Sequence, residues 1–248
     1  MSRDERALEA GLSDPAVPRV LATGELEVLG LLPNASNHTF LSRARGDGEE
    51  LLAVYKPRRG EAPLWDFPEG TLCAREVATY VVARTLGWPN VPATVLRGGP
   101  YGVGSVQRYV DFEPEEHYFT LAKGHAAEFR RVAAFDLVVN NADRKAGHCL
   151  LGEDGRIHVV DHGVCFNEEP KLRTVIWDFI GDPLEEQART DLRRLARDVR
   201  EGPVREELAN LLSATELRAL EARTDAVAAL DRLPEPGPDR RPFPWPPI

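Results

Sequence analysis

Cysteine is scarce. The chain has three in 248 residues, Cys73, Cys149 and Cys165, an odd number set far apart. That spacing excludes a disulfide frame and a paired-cysteine zinc site, and fits buried thiols in a reducing cytoplasm. Long apolar runs are also missing: nothing approaches the ~18 residues a membrane-spanning helix needs, so no stable membrane insertion is expected. The opening residues Met1, Ser2, Arg3, Asp4, Glu5 and Arg6 are charged and lack the apolar core of a secretory signal, which again predicts a cytoplasmic protein. Net positive charge is lacking as well. A formal charge of -9 disfavours non-specific attachment to nucleic acid or to an anionic membrane face. No internal repeat is present.

What the sequence does have is an ordinary globular composition, 42% hydrophobic and 29% charged. That suffices for one large domain or for two small lobes around a shared cleft. The first half reads as strands: residues 26–29, 38–45 and 51–56, with a turn at Gly46, Asp47 and Gly48, then 91–96 and 103–110 around Gly98, Gly99 and Pro100. Between them the pattern predicts a helix over 72–86, with Thr71 as N-cap and Gly87 just past its end. The second half reads as mainly helical. Phe129, Val132, Ala133 and Leu137 recur at helical spacing over 126–139, and Leu184, Ala188, Leu192 and Leu195 mark another helix. Ser213 and Glu216 form a capping-box pattern for the last helix. Residues 148–151 and 156–160 form a hairpin around Glu153, Asp154 and Gly155. The expected fold class is therefore α+β in two lobes, a small β-rich lobe over residues 1–110 and a mainly helical lobe over 111–232. Residues 233–248 are a proline-rich tail, either free or laid on the surface by Phe243 and Trp245.

The densest signal lies between Phe135 and Gly163. A helix ends, a polar loop carries Asp143 and Lys145, and a hairpin follows. That hairpin ends in Val159, Val160, Asp161, His162 and Gly163. Phosphoryl transfer uses such a pair of carboxylates, one to orient and deprotonate the attacking hydroxyl, the other to hold magnesium on the phosphates.

With these residues, the chain resembles the protein-kinase-like superfamily. Its nearest likeness is to the compact, atypical branch with the phosphatidylinositol 3- and 4-kinases and the HipA-like kinases. The resemblance implies a two-lobed protein-kinase-like fold that binds ATP with magnesium, or manganese in its place. Asp143 then matches the catalytic aspartate, Lys145 the lysine aimed at the transferred phosphate, and Asp161 the metal-binding aspartate of an Asp-Phe-Gly triplet. Tyr55, Lys56 and Pro57 match the strand whose lysine grips the α- and β-phosphates, with Glu76 as its ion-pair partner. Gln107, Tyr109 and Val110 fall where the superfamily has its adenine-binding hinge. Ser36 and Asn37, in a polar loop, take the place of the glycine-rich phosphate cover.

The pattern also departs from that family. His148 stands where an asparagine binds the second metal, and imidazole is a poorer partner than oxygen for hard magnesium. Asn140 or Asn141 is the expected alternative source of an oxygen. The segment after Asp161 is short, as in lipid and small-molecule kinases. The reading is an ATP- and magnesium-dependent phosphotransferase whose acceptor (protein, lipid or small molecule) is open. The alternative is a pseudokinase that binds nucleotide or a protein partner. A small-molecule phosphotransferase of the aminoglycoside-kinase type is the third option.

Overall fold

The computed structural model describes residues 5–7, 17–33, 37–237 and 241–248. Ser36 lies outside them, and Asn37 within. After a short helix α1 (Arg19–Thr23), strands β1 (Glu25–Leu31), β2 (Phe40–Gly46) and β3 (Glu49–Pro57) form an antiparallel meander. Gly46 faces Glu49, so Asp47 and Gly48 alone make the β2–β3 turn, both at positive φ as a tight hairpin requires. Helix α2 (Leu72–Leu86) follows, then β4 (Thr94–Gly99) and β5 (Gly102–Arg108). The sheet order is β1-β2-β3-β5-β4. Gly104 lets β5 lie against β3: a Cβ there would stand 2.4 Å from the Lys56 carbonyl oxygen.

Helix α2 packs on β4 and β5 from one side. On the other it meets α5 (Glu186–Asp198) and α6 (Pro203–Leu211) of the second lobe. It is therefore buried nearly all round, which suits its mostly apolar sequence. The second lobe also contains α3 (Tyr118–Leu121), α4 (Ala126–Val139), the β6–β7 hairpin (Cys149–Leu151 and Ile157–Val159) and α7 (Ala214–Ala228). Its buried core includes Phe129, Phe135, Ile157, Leu192, Leu208 and Leu220. Among the described residues no helix is long and apolar enough to cross a membrane.

The expected α+β, two-lobed architecture is the observed one, and the expected 72–86 and 126–139 helices match α2 and α4. Gly87, at φ 85°, closes α2 by donating its N–H to Ala83. Ser213 and Glu216 form the capping box of α7. Thr71 precedes α2 but caps nothing with its hydroxyl. The Glu61 carboxylate, from the β3–α2 loop, instead accepts from the Leu72 and Cys73 N–H groups at 3.1 and 2.8 Å. Helices α1, α3 and α6 escape the sequence reading because each is too short to show a repeated apolar period.

The tail is docked, but by a different means from the one expected. Phe243 and Trp245 point outward, 48% and 75% exposed. The contacts come from Leu233, which is buried, and from carbonyl groups of the prolines.

Candidate active site

Lys56 is the penultimate residue of β3, between the buried Tyr55 and Pro57, and its ammonium group reaches across the cleft. It pairs with Oε1 of Glu76 on α2 and lies 2.8 Å from Oδ1 of Asp161. The other Glu76 oxygen accepts the His162 N–H at 3.0 Å. One carboxylate thus ties the lysine, helix α2 and the Asp161–Gly163 turn together. Burial works against a charged lysine, but Asp161 and Glu76 outweigh it and raise Lys56 above its ordinary range. The same ammonium holds Asp161 well below the usual carboxylate range.

Asp143 stands on the loop after α4. Asn140, in a left-handed conformation, ends that helix. The Asn141 side-chain oxygen then accepts the Asp143 N–H at 3.0 Å. Burial pushes the Asp143 carboxyl up to about 6, with Lys145 opposing and Asp161 reinforcing the shift. The Lys145 ammonium lies 3.5 Å from Asp143. His148 faces Asp161, with Nε2 3.3 Å from Oδ2. Its Nδ1 accepts the Lys145 N–H at 3.3 Å, so the proton of the neutral ring sits on Nε2. Burial pushes this imidazole down to about 4 and keeps it neutral at pH 7.

Lys56, Glu76, Asp143, Lys145, His148 and Asp161 line one cleft of about 360 Å³, together with Asn37 from the β1–β2 loop. The expected hinge residues are not brought into it. Tyr109 and Val110 line a separate cavity of about 520 Å³. The Gln107 side chain donates to Thr94, and the Tyr109 N–H to the Leu52 carbonyl. Among the described residues nothing engages the Val110 N–H, so of the three it retains a free backbone donor.

Asn140 and Asn141 do not serve as alternative oxygen donors to the cleft. Asn140 uses its oxygen to accept the Lys171 N–H and its amide to bond Asn167 and Glu169. Asn141 bonds Asp136 and Asp143. Beneath the site lies a group of residues that the sequence reading missed. Arg144 and Asp136, both fully buried, form a bidentate pair, and Arg144 also donates to Nε2 of His162. The signal was an arginine directly after the loop aspartate and an aspartate inside an apolar helix, since a buried charge requires a partner. Arg173 was missed too. Its N–H donates to Asn141 and its carbonyl accepts from Arg144, which sets its side chain on the cleft wall beside Asp143.

No family model matches the sequence. The chain is 41% identical over 263 aligned positions to Protein Rv2133c of Mycobacterium tuberculosis, covering 92% of this chain and 94% of that one. It is 31% identical over 166 positions to Phosphatidylinositol 4-kinase gamma 4 of Oryza sativa subsp. japonica. That match covers 52% of this chain and 29% of the rice protein. Among solved structures, the Helicobacter pylori proinflammatory kinase CtkA superposes with a TM-score of 0.54 at 12% identity, over 85% of this chain and 93% of the other. The fold is thus the two-lobed fold of a kinase, and the chain belongs to the family of Protein Rv2133c.

Proposed function

We propose that the protein is an ATP- and magnesium-dependent phosphotransferase related to the phosphatidylinositol 3-/4-kinases, with its acceptor open. The observation that carries this reading is the position of the Lys56 ammonium, between Glu76 and Asp161 and in one cleft with Asp143. The donor set suits magnesium. Asp161 offers the cleft a hard carboxylate oxygen, the donor type magnesium takes alongside phosphate oxygens and water. Asp161 is the carboxylate that would hold it, and His148 stands at the second-ligand position. Magnesium, when bound, neutralises charge on the phosphates.

The protein's own groups have distinct tasks. Lys56 would contact the α- and β-phosphates while Glu76 keeps it aimed. Asn37, on the cleft wall, donates to phosphate. Asp143 orients the acceptor hydroxyl and takes its proton. Lys145 stabilises charge on the moving phosphoryl group. Positioning and electrostatics supply the rate.

The test is transfer of label from γ-labelled ATP to the protein itself or to water. Asp143→Asn should abolish it while leaving the ATP-dependent rise in melting temperature intact. Equal turnover in parent and variant would remove Asp143 from the reaction.

A second reading, a pseudokinase acting as a nucleotide-binding or protein-interaction module, is favoured by one observation. Both His148 nitrogens are already committed, Nδ1 to Lys145 and Nε2 to Asp161. Nucleotide binding without any transfer in the parent would select it.

A further inference from the structure

The proline-rich segment 241–248 touches the two loops that carry Lys145 and Arg173 of the cleft wall. The Pro242 carbonyl accepts from the Thr174 N–H at 3.0 Å and from the Trp177 indole N–H at 3.2 Å. The Pro247 carbonyl accepts from the Ala146 N–H at 2.8 Å. Ala146 follows Lys145 directly, and Thr174 follows Arg173, so both bonds fall next to side chains that line the cleft. Pro244, between the two anchors, is buried, whereas Phe243, Trp245 and Ile248 face outward. Further upstream, Leu233 exchanges backbone bonds with Gly181 and Asp182.

The chemistry of the contact is one-sided. A proline has no N–H, so such a segment offers mainly carbonyl acceptors. The two loops present the matching donors, two backbone N–H groups and one indole N–H. A proline-rich strand is also already extended, so laying it down costs little conformational entropy. Without it, Ala146, Thr174 and Trp177 would lose their partners, and the Ala146–His148 turn would lose its outer support.

We propose that residues 241–248 act as a brace that holds the Asp143–His148 loop and the Arg173–Trp177 segment in register, with Trp177 as a positioning residue. Its effect on rate rests on the phosphotransfer reading, and its effect on loop order does not. Deletion of residues 241–248 should leave the melting-temperature rise with magnesium and ATP in place and the KM for ATP nearly unchanged. It should lower turnover about tenfold or more, the scale expected when a catalytic loop is misplaced slightly. In the same protein, hydrogen exchange at the Ala146 and Thr174 amides should lose its protection. Trp177→Phe keeps an aromatic side chain, though a smaller one, and removes the indole donor, and should lose part of the Thr174 protection even if the deletion fails to fold. Protection and turnover equal to the parent in both variants would overturn the brace. A parent without transfer activity would overturn the phosphotransfer reading, and the exchange result would still decide the brace.

Discussion

Lys56 sits between two carboxylates, and the consequences differ for each partner. Asp161 is half-exposed to the cleft and can turn to water or metal, but Glu76 is buried, with 3% of its side chain accessible. Removing the ammonium strands a buried charge. Lys56→Met should therefore lower unfolding stability by about 3 kcal/mol, measured by denaturant titration, beyond any effect on nucleotide. Asp143 shows the opposite economy. Its folded pKa of about 6 is above the ordinary 3.8, so its favourable contribution to folding is present below about 4 and is lost as pH rises through 6. Asp143→Asn should then raise the melting temperature at pH 8, and the gain should vanish by pH 4. A variant no more stable than the parent at pH 8 would contradict the burial assigned to Asp143. Residues of this kind were legible in the sequence because their order along the chain was intact. Arg173 was not, because only the backbone bonds to Asn141 and Arg144 bring it to the cleft.

Helix α2 is the element through which the two lobes communicate. Glu76 faces the phosphate side. Arg75, one residue earlier and only 1% exposed, turns toward the second lobe. Its guanidinium pairs with Glu216 of α7, donates to the Cys165 carbonyl and lies 4.9 Å from the Phe67 ring centroid. The helix is thus pinned on both sides, and the Lys56–Glu76 pair is set by packing as well as by charge. Its ends illustrate what sequence can and cannot reveal. Gly87 is a local stop signal and was readable. The start is capped by Glu61, eleven residues before Leu72, a contact that exists only after the β3–α2 loop folds back. Glu61→Ala should cost about 1 kcal/mol in stability, measured by denaturant titration, as loss of an N-cap does. A Glu61→Ala protein as stable as the parent would remove Glu61 as the cap.

At the scale of the molecule, the two-lobed outline followed from the change of apolar period, strands first and helices after, and from the turn residues between them. The docked tail did not, because its anchors are carbonyl oxygens, which every residue has and no side-chain pattern reports. The aromatic residues that suggested docking face solvent instead. The hinge shows the same limit: the resemblance set Gln107 and Tyr109 against the nucleotide, but Thr94 and Leu52 occupy the Gln107 side-chain and Tyr109 backbone donors. The proposed function turns on ATP binding in the cleft between the lobes through a metal held by Asp161. It is tested most directly by thermal denaturation of the parent and of Asp161→Ala, with ATP, with and without magnesium or manganese. Saturating ligand should raise the parent's melting temperature by about 5 °C, given the linkage gain for a chain of this size. This rise should need the metal and disappear in Asp161→Ala. A rise of equal size without metal or in the variant, or none in the parent, would contradict it.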